Sequence, residues 1–446
     1  MTDTSSSTSS FSSSSTSGDS STWLRGAALA DGRVVDVGIS RTTGTITSVL
    51  PARREVPREA FASAPPASGS TGTEIDLEGY LLLPAPVEPH AHLDKALTAE
   101  LLPNMTGDLL GAIAAWSPYV AHVTVADTAE RARRAALELL CSGVTAVRTH
   151  VNVQEGLGLK NVEALLQVRD ELADLIDIQI VALIGRPLAG PAGADHRALA
   201  RETLEMDTAI IMGGCPHLDE NPNEATDIAL EFAGTFDRML DLHTDETLDP
   251  AHLDLAYLAD RLLATGFTRL VAASHCVSLA MQPTGIQQRV SERAAEAGLS
   301  VITLPQTNLF LQGRNYSQSA PRGLTAIGPL RAAGVTVAAG ADNVRDPFNS
   351  MGRSDPMETA ALLVMAGHLL PQVAYELVST AGRTAMGLPA VAVEVGSPAE
   401  LIAVLGGSIA EAVARADQQR MVWHKGALVA STSVQRSVGA GRAIRF

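Results

Sequence analysis

The sequence predicts an α/β protein: a (β/α)₈ barrel of the TIM type with a small flanking β-sandwich domain built from both termini. Short apolar segments alternate with helical segments from 82 to 388, which is typical of parallel βα units. Eight such strands can be counted, the number that closes a barrel. Short β segments precede and follow this region, so residues 22–81 and 389–446 are assigned to the small domain, and the serine-rich head, 1–21, is expected to be disordered.

The composition excludes several classes of function. The chain has 446 residues, of which 46% are hydrophobic and 18% charged, an ordinary globular balance. Its net charge of −16 argues against nucleic acid and against an anionic membrane surface as partners. No apolar run approaches the roughly 20 residues of a membrane helix, and the first twenty residues lack a basic and apolar leader. We therefore expect a cytoplasmic protein with a small neutral or cationic substrate.

The terminal segments are short and alternate in polarity. Residues 24–30, 33–39 and 44–50 are separated by Asp-Gly and Thr-Gly turn signals, which favour antiparallel strands. Residues 399–405 and 420–430 have the same character near the other end of the chain. Because a few isolated strands do not fold alone, the two sets are predicted to pair into one small domain.

The barrel strands are apolar segments that end in polar residues. The first begins at Leu82 and runs into a pair of histidines. The other seven strands are predicted at about 145–151, 177–184, 208–214, 239–246, 270–275, 300–305 and 335–343. Helices are predicted at about 128–140, 161–172, 224–236, 356–367 and 371–385.

Side chains of the metal-binding type stand at several strand ends. His90 and His92 alternate, so in a β conformation both point to one face. His243 ends strand five, His275 ends strand six and Asp342 ends strand eight. Barrel enzymes place their chemistry at this end of the strands. Each histidine alone could be structural, but three imidazoles and a carboxylate suit Zn²⁺ or Fe²⁺ with a water of lowered pKa.

Further polar residues are candidates for the same site. Glu246, three residues beyond His243, could carry protons between that water and a substrate. Lys95 follows the histidine pair closely and either faces the substrate or forms an ion pair with Asp94 or Glu88.

Three more side chains are predicted to contact the substrate. His150 and His217 end strands two and four, with structural packing as the alternative. Gln312, on the loop after strand seven, carries an amide that could bind the edge of a heterocycle.

An ordered set of segments resembles the amidohydrolase superfamily, in particular its cytosine deaminase branch. The resemblance extends from about residue 23 to 446 and rests on the segments 90–94, 148–151, 243–246, 274–275, 308–314 and 342–347. It implies one metal ion held by His90, His92, His243 and Asp342. It also implies that Glu246 protonates a ring nitrogen, that His275 orients the hydrolytic water and that Asp342 takes the proton of this water.

Differences from the family pattern bear on metal count and substrate. Two-metal branches carry a carboxylated lysine on strand four, and residues 212–217 contain none, which implies a single ion. Gly185 stands where the cytosine branch has a glutamine, Asn343 replaces a second aspartate and Phe348 a tryptophan, so poor activity on cytosine is expected. Lys95 completes a His-x-His-x-Asp-Lys arrangement similar to that of isopropylammelide amidohydrolase and would favour a substrate carbonyl or developing anion.

The sequence thus predicts a mononuclear metal-dependent hydrolase that deaminates a small N-heterocycle: cytosine-like, pterin-like, a triazine or a cyclic guanidine. Opening of a cyclic amide and release of an alkylamine are the alternatives at the same site. A barrel that kept the fold and acts only by binding is the alternative of another class. Such barrels often self-associate, so a homo-oligomer is left open.

Overall fold

The computed structural model describes residues 21–52, 73–438 and 442–443, so nearly all of the predicted disordered head lies outside the described residues. The N-terminal strands come first in the chain. They are β1 (Ser21–Ala28), β2 (Val34–Ser40), β3 (Thr45–Pro51), β4 (Thr73–Asp76) and β5 (Tyr80–Pro84).

Eight parallel strands then form the barrel, which confirms the predicted fold class. These are β6 (Glu88–Ala91), β7 (Ala146–Val153), β8 (Asp177–Ile184), β9 (Ile211–Gly214), β10 (Leu240–Thr244), β11 (Val271–His275), β12 (Ser300–Thr303) and β13 (Thr336–Ala339).

Two backbone hydrogen bonds close the barrel between its first and last strands. The N–H of Asp342 donates to the carbonyl of His90, and the N–H of His92 donates to the carbonyl of Asp342, each at 3.1 Å. This closure brings Asp342 beside the histidine pair, although some 250 residues separate them in the chain.

The terminal strands form one mixed sheet beside the barrel. The C-terminal strands are β14 (Leu401–Leu405), β15 (Arg420–His424), β16 (Ala427–Ser431), β17 (Ser437–Val438) and β18 (Arg442–Ala443). The sheet has the order β16-β15-β14-β5-β1-β2-β3, with β4 beside β1, and β17 pairs with β18 separately. Ile46 of β3 and Trp423 of β15 share one core, so the sheet curves over itself. The predicted sandwich is therefore a single curved sheet, because β5 and β14 hydrogen-bond the two strand sets edge to edge.

The start of the barrel differs from the prediction. The apolar run at Leu82 belongs to β5 of the terminal sheet, and the first barrel strand begins at Glu88. Leu82 packs into the core of the terminal sheet, whereas Leu81 and Leu83 pack into the barrel core. An apolar run buried on both faces is typical of barrel strands as well, and for that reason the sequence pattern does not separate the two.

Helices surround the barrel and pack on it through apolar faces. In α2 the side chains of Ala132, Ala136 and Leu139 are buried at helical spacing. The helices are α1 (Leu109–Trp116), α2 (Val125–Cys141), α3 (Lys160–Glu171), α4 (Ala194–Met206), α5 (Pro222–Thr235), α6 (Asp254–Thr265), α7 (Thr284–Glu296), α8 (Pro305–Leu311), α9 (Ile327–Ala332), α10 (Pro356–Met365), α11 (Pro371–Val378), α12 (Thr380–Ala385) and α13 (Ile409–Arg415). Among the residues that the structure describes, no helix is long and apolar enough to cross a membrane.

Candidate active site

The barrel strands deliver the metal-type side chains to one end of the barrel. His90 lies near the end of β6 and His92 just after it, His243 lies in β10, His275 ends β11 and Asp342 follows β13. His275 and Asp342 have φ angles of 72° and 73°, in the left-handed region that residues other than glycine rarely adopt. Such backbone strain concentrates at functional sites.

The distances between these side chains are those of ligands around one ion. Nε2 of His92 lies 3.2 Å from Nε2 of His243 and 3.2 Å from Oδ1 of Asp342. Nε2 of His90 lies 3.5 Å from the same carboxylate oxygen. Two ligands of a tetrahedral zinc ion stand about 3.3 Å apart, because each metal–ligand bond is about 2.0–2.1 Å long.

The chemical state of the ligands also fits a cation. Burial holds the pKa of His90, His92 and His243 well below the usual range, and the Lys95 ammonium adds to this effect for His90 and His92, so the imidazoles are neutral. Nε2 of His90 and Oδ1 of Asp342 are buried without a hydrogen-bond partner in the described residues. Neutral imidazoles and a carboxylate are the forms that bind metal, so the donor set fits a divalent ion.

Hydrogen bonds fix which imidazole nitrogen faces the centre. The hydroxyl of Ser274 donates to Oδ1 of Asp241 at 3.3 Å, so Nδ1–H of His90 donates to Oγ of Ser274 at 2.8 Å. Nδ1 of His92 lies 3.1 Å from the carbonyl oxygen of His150 and 3.0 Å from Nζ of Lys95, and its Nε2 faces His243 and Asp342. Both rings therefore turn Nε2 toward the common centre.

A second group of ligand-type atoms lies deeper in the barrel. Atoms of His90, His150 and Asp241 also converge. Asp241, however, already has a buried counter-charge, since Nη1 of Arg148 lies 2.8 Å from its Oδ2. The guanidinium already neutralises the carboxylate that a second metal ion would need as a ligand. This favours a single ion at this end of the barrel.

Glu246 and His275 lie beside the ligand set. Burial, and then the charge of Asp342, raises the pKa of Glu246 well above its usual range, which favours the protonated carboxyl. Nε2 of His275 lies 3.7 Å from Oε2 of Glu246 and 3.9 Å from Oδ2 of Asp342. Its Nδ1 donates to Oδ1 of Asn308 at 3.0 Å, so Nε2 is left as an acceptor. A proton donor and a proton acceptor thus flank the same centre.

The site opens into a cavity of about 360 Å³. This volume lies at the lower end of the range for small-molecule sites. The predicted site residues that line it are His92, Lys95, Gly185, His243, Glu246, His275, Asp342, Asn343 and Phe348.

Lys95 lines the cavity and also lies beside Asp94, one of the two ion-pair partners that the sequence suggested. It lines the cavity with only 2% of its surface exposed, and its Nζ lies 3.7 Å from Oδ1 of Asp94 and 2.7 Å from Oδ1 of Asn152. Glu88 is not its partner, because that carboxylate accepts the backbone N–H groups of His90 and Ala341.

Asn343 and Phe348 form the wall near Lys95. The Asn343 amide is tied down, since its Oδ1 accepts from Thr307 at 3.1 Å and its Nδ2 donates to Asp346 at 2.8 Å. The ring of Phe348 lies 5.5 Å from the Lys95 ammonium, within cation–π distance.

Three predicted substrate contacts lie behind the cavity wall. His150 stacks on His90 with ring centroids 3.8 Å apart, because β7 continues to Val153 and leaves His150 inside the barrel. Nδ1 of His217 donates to the carbonyl of His243 at 3.2 Å, and burial lowers the pKa of His217 to about 3. Gln312 follows α8, and its Nε2 donates to the carbonyl of Glu246 at 3.1 Å. These side chains brace residues of the site from behind.

Several lining residues were not predicted. Asn152 and Gln154 line the cavity. Asn152 lies in β7 two residues beyond His150, and Gln154 follows the strand directly, so a longer strand two would have indicated them. His196 of α4 also lines the cavity. Trp116 belongs to α1, whose sequence carries no polar periodicity and gave no helical signal.

Comparison with known proteins connects this geometry to a family. The chain is 30% identical over 362 residues to the pterin deaminase of Rhizobium rhizogenes (strain K84 / ATCC BAA-868), covering 80% of this chain and 82% of the relative. It is 26% identical over 353 residues to the N-isopropylammelide isopropyl amidohydrolase of Pseudomonas sp. (strain ADP), covering 75% and 82%.

The fold is also found among solved structures. The crystal structure of 5-methylcytosine deaminase from Klebsiella pneumoniae liganded with 5-fluorocytosine superposes with a TM-score of 0.80 at 28% identity, covering 94% of this chain and 99% of that one. A family model described as "Amidohydrolase family" matches residues 81–429, which include every ligand-type residue described above. The chain therefore belongs to the amidohydrolase family.

Proposed function

We propose that this protein is a mononuclear metal-dependent hydrolase that releases ammonia from a small amino-substituted N-heterocycle. It would act on a carbon–nitrogen bond, other than a peptide bond, in a cyclic amidine. The observation that carries the proposal is the buried Glu246 carboxyl with its raised pKa, on the same cavity wall as the ligand set. The proposed ligands are His90, His92, His243 and Asp342.

The residues of the site account for the proton movements of deamination. A bound Zn²⁺ or Fe²⁺ supplies a water whose pKa is lowered to near 7. Oδ2 of Asp342 takes a proton from the attacking water, and Nε2 of His275 accepts a hydrogen bond that orients it. Glu246 gives its proton to the ring nitrogen next to the attacked carbon, takes up the proton that remains on the attacking oxygen, and passes that proton to the departing amine. The proton held by Asp342 then returns to Glu246, which restores the resting state. Burial, which disfavours the charged carboxylate, suits Glu246 to the first of these transfers.

The names of the relatives support the substrate class. One is a pterin deaminase, one acts on N-isopropylammelide, and the crystallised one is a 5-methylcytosine deaminase. All three names refer to small nitrogen heterocycles, in keeping with the cavity volume. Release of an alkylamine is the second candidate, because Lys95 lies on the cavity wall in the His-x-His-x-Asp-Lys arrangement described above.

Other expectations stay predictions. A cytoplasmic location and the absence of nucleic-acid and membrane partners were predicted from the sequence and its composition, and self-association is left open because such barrels often self-associate.

Two measurements test the proposal. The first is the metal content of protein loaded with Zn²⁺ or Fe²⁺, where we expect one tightly held ion per chain. The second is a screen for ammonia release from pyrimidines, purines, triazines, pterins and cyclic guanidines, with the mass of each product. Exchange of an amino group for a hydroxyl is expected, whereas loss of an alkylamine would favour the second candidate. The proposal would be overturned if the protein retained no ion after incubation with Zn²⁺ or Fe²⁺, or if the metal-loaded protein transformed no member of these classes.

A further inference from the structure

We propose that Gln154 is a specificity residue that donates a hydrogen bond to an acceptor on the substrate ring, either a carbonyl oxygen or an unprotonated ring nitrogen. This inference rests on the proposed function and narrows its substrate class. Gln154 follows β7 directly and lines the cavity.

Gln154 occupies space that Gly185 leaves free. A Cβ atom at position 185 would lie 2.7 Å from Cβ of Gln154 and 2.8 Å from Nε2 of His196, closer than side chains approach. Residue 185 therefore offers no side chain to the cavity, and the amide on this side of the cavity comes from the preceding strand.

A chain of hydrogen bonds fixes the orientation of the Gln154 amide. The Lys95 ammonium has only donors, so the Asn152 atom 2.7 Å from Nζ is the oxygen. The Asn152 amide then points Nδ2 toward Gln154, whose Oε1 accepts at 3.3 Å. Both hydrogens on Nε2 of Gln154 are then free to donate, because no acceptor for them is found among the described residues.

Asp94 holds the first two residues of this series of hydrogen bonds, Lys95 and Asn152, in place. Asp94 is fully buried, its Oδ1 lies 3.7 Å from Nζ of Lys95, and its Oδ2 accepts the backbone N–H of Asn152 at 3.0 Å. The side chain of Asn161 donates to the same oxygen at 3.0 Å. Turning the Asn152 amide over would set its NH₂ group against the ammonium. The donor–acceptor direction of all the hydrogen bonds from Lys95 to Gln154 is therefore fixed.

The fixed polarity has a consequence for the substrate. A ring that carries an oxo group or a bare nitrogen opposite Gln154 pairs with its N–H, whereas a ring with an amino group there opposes donor with donor. Leaving buried groups unpaired in this way is expected to give a discrimination of about 10–100-fold between the two rings, which corresponds to about 1.4–2.8 kcal/mol.

The test uses pairs of heterocycles that share the amino group to be released and differ at one other ring position, oxo in one and amino in the other. Binding of each pair to metal-loaded protein is measured by calorimetry, and ammonia release is measured separately. The wild type is expected to bind the oxo member about 10–100-fold more tightly for the pair whose substituent faces Gln154. Gln154→Glu replaces the donor by an acceptor, so this preference should vanish or reverse.

A second variant tests the orientation of the Gln154 amide, and a control variant tests whether the same chemical change elsewhere alters the preference. Asn152→Asp removes the donor that fixes Oε1 of Gln154, and the preference should shrink because the amide is free to turn. Gln167→Glu makes the same chemical change on the exposed surface of α3 and should leave the preference as in the wild type. Near-ultraviolet circular dichroism and metal content report whether each variant is folded.

The outcomes separate this inference from the proposed function. If the wild type shows no oxo preference for any pair, or if folded Gln154→Glu and Asn152→Asp both keep the wild-type ratio, Gln154 does not read the substrate. Ammonia release by the wild type would still stand in that case. Absence of ammonia release with an intact oxo preference would instead reject deamination and keep the binding role.

Discussion

Removing the hydroxyl of Ser274 should weaken metal binding without disturbing the fold. Ser274 lies in β11 between His90 and Asp241, at 2.8 Å from Nδ1 of the first and 3.3 Å from Oδ1 of the second. All three side chains are buried in the barrel interior, and Arg148 holds the other oxygen of Asp241. In Ser274→Ala, Nδ1 of His90 loses its acceptor, and the tautomer that presents Nε2 to the ion is no longer favoured.

The expected size of the effect follows from the bonds that are lost. Loss of a hydrogen bond that orients a ligating imidazole typically costs 10–100-fold in metal affinity. This factor corresponds to about 1.4–2.8 kcal/mol, in line with the cost of leaving one buried polar group unpaired. Asp241 keeps its ion pair with Arg148, so the barrel itself should remain folded.

The assay is competition between the protein and a chelator of known affinity at fixed pH, with thermal unfolding of the metal-free protein measured in parallel. Ser291→Ala is the matched control: Ser291 is a buried serine on α7 whose hydroxyl has no partner in the described residues. Its metal dissociation constant should equal that of the wild type. A Ser274→Ala protein whose constant stays within about twofold of the wild type would refute the reasoning.

Three further predictions concern other parts of the chain. Glu246→Gln should keep one metal ion but lower kcat for ammonia release by about 10²–10⁴-fold, because the amide cannot transfer the proton; full activity would reject its role. Gly185→Ala should lower the free energy of unfolding in urea by about 1–3 kcal/mol, since its Cβ would collide with Gln154, and an unchanged midpoint would contradict this. Burial alone would raise the pKa of Glu400, but hydrogen bonds, chiefly from His424, hold it below its ordinary value of 4.5. Its contribution to stability is therefore present above about pH 4.5 and lost as the pH falls further, so Glu400→Gln should lower the melting temperature more at pH 7 than at pH 3.5; equal losses at both would argue against it.

The sequence alone determined the barrel and the position of its chemistry. Periodic apolar segments indicate parallel strands whatever surrounds them, and the ends of such strands meet at one face. Residues as distant in the chain as His92, His243 and Asp342 could therefore be placed together before any contact was known. Their separations of 3.2 Å depend on barrel closure, which backbone hydrogen bonds supply.

Only the tertiary structure decided which face of a strand meets which core and which side chains reach the cavity. Leu82 and Leu83 belong to one apolar run in the sequence. They nevertheless pack into different cores, because β5 lies between the barrel core and the core of the terminal sheet. His150 lies under His90 because β7 is longer than its pattern indicates. The space before Gly185 is filled by Gln154 and by a helix residue, His196. Such contacts join elements that are distant in the chain, and no local pattern of residues encodes them.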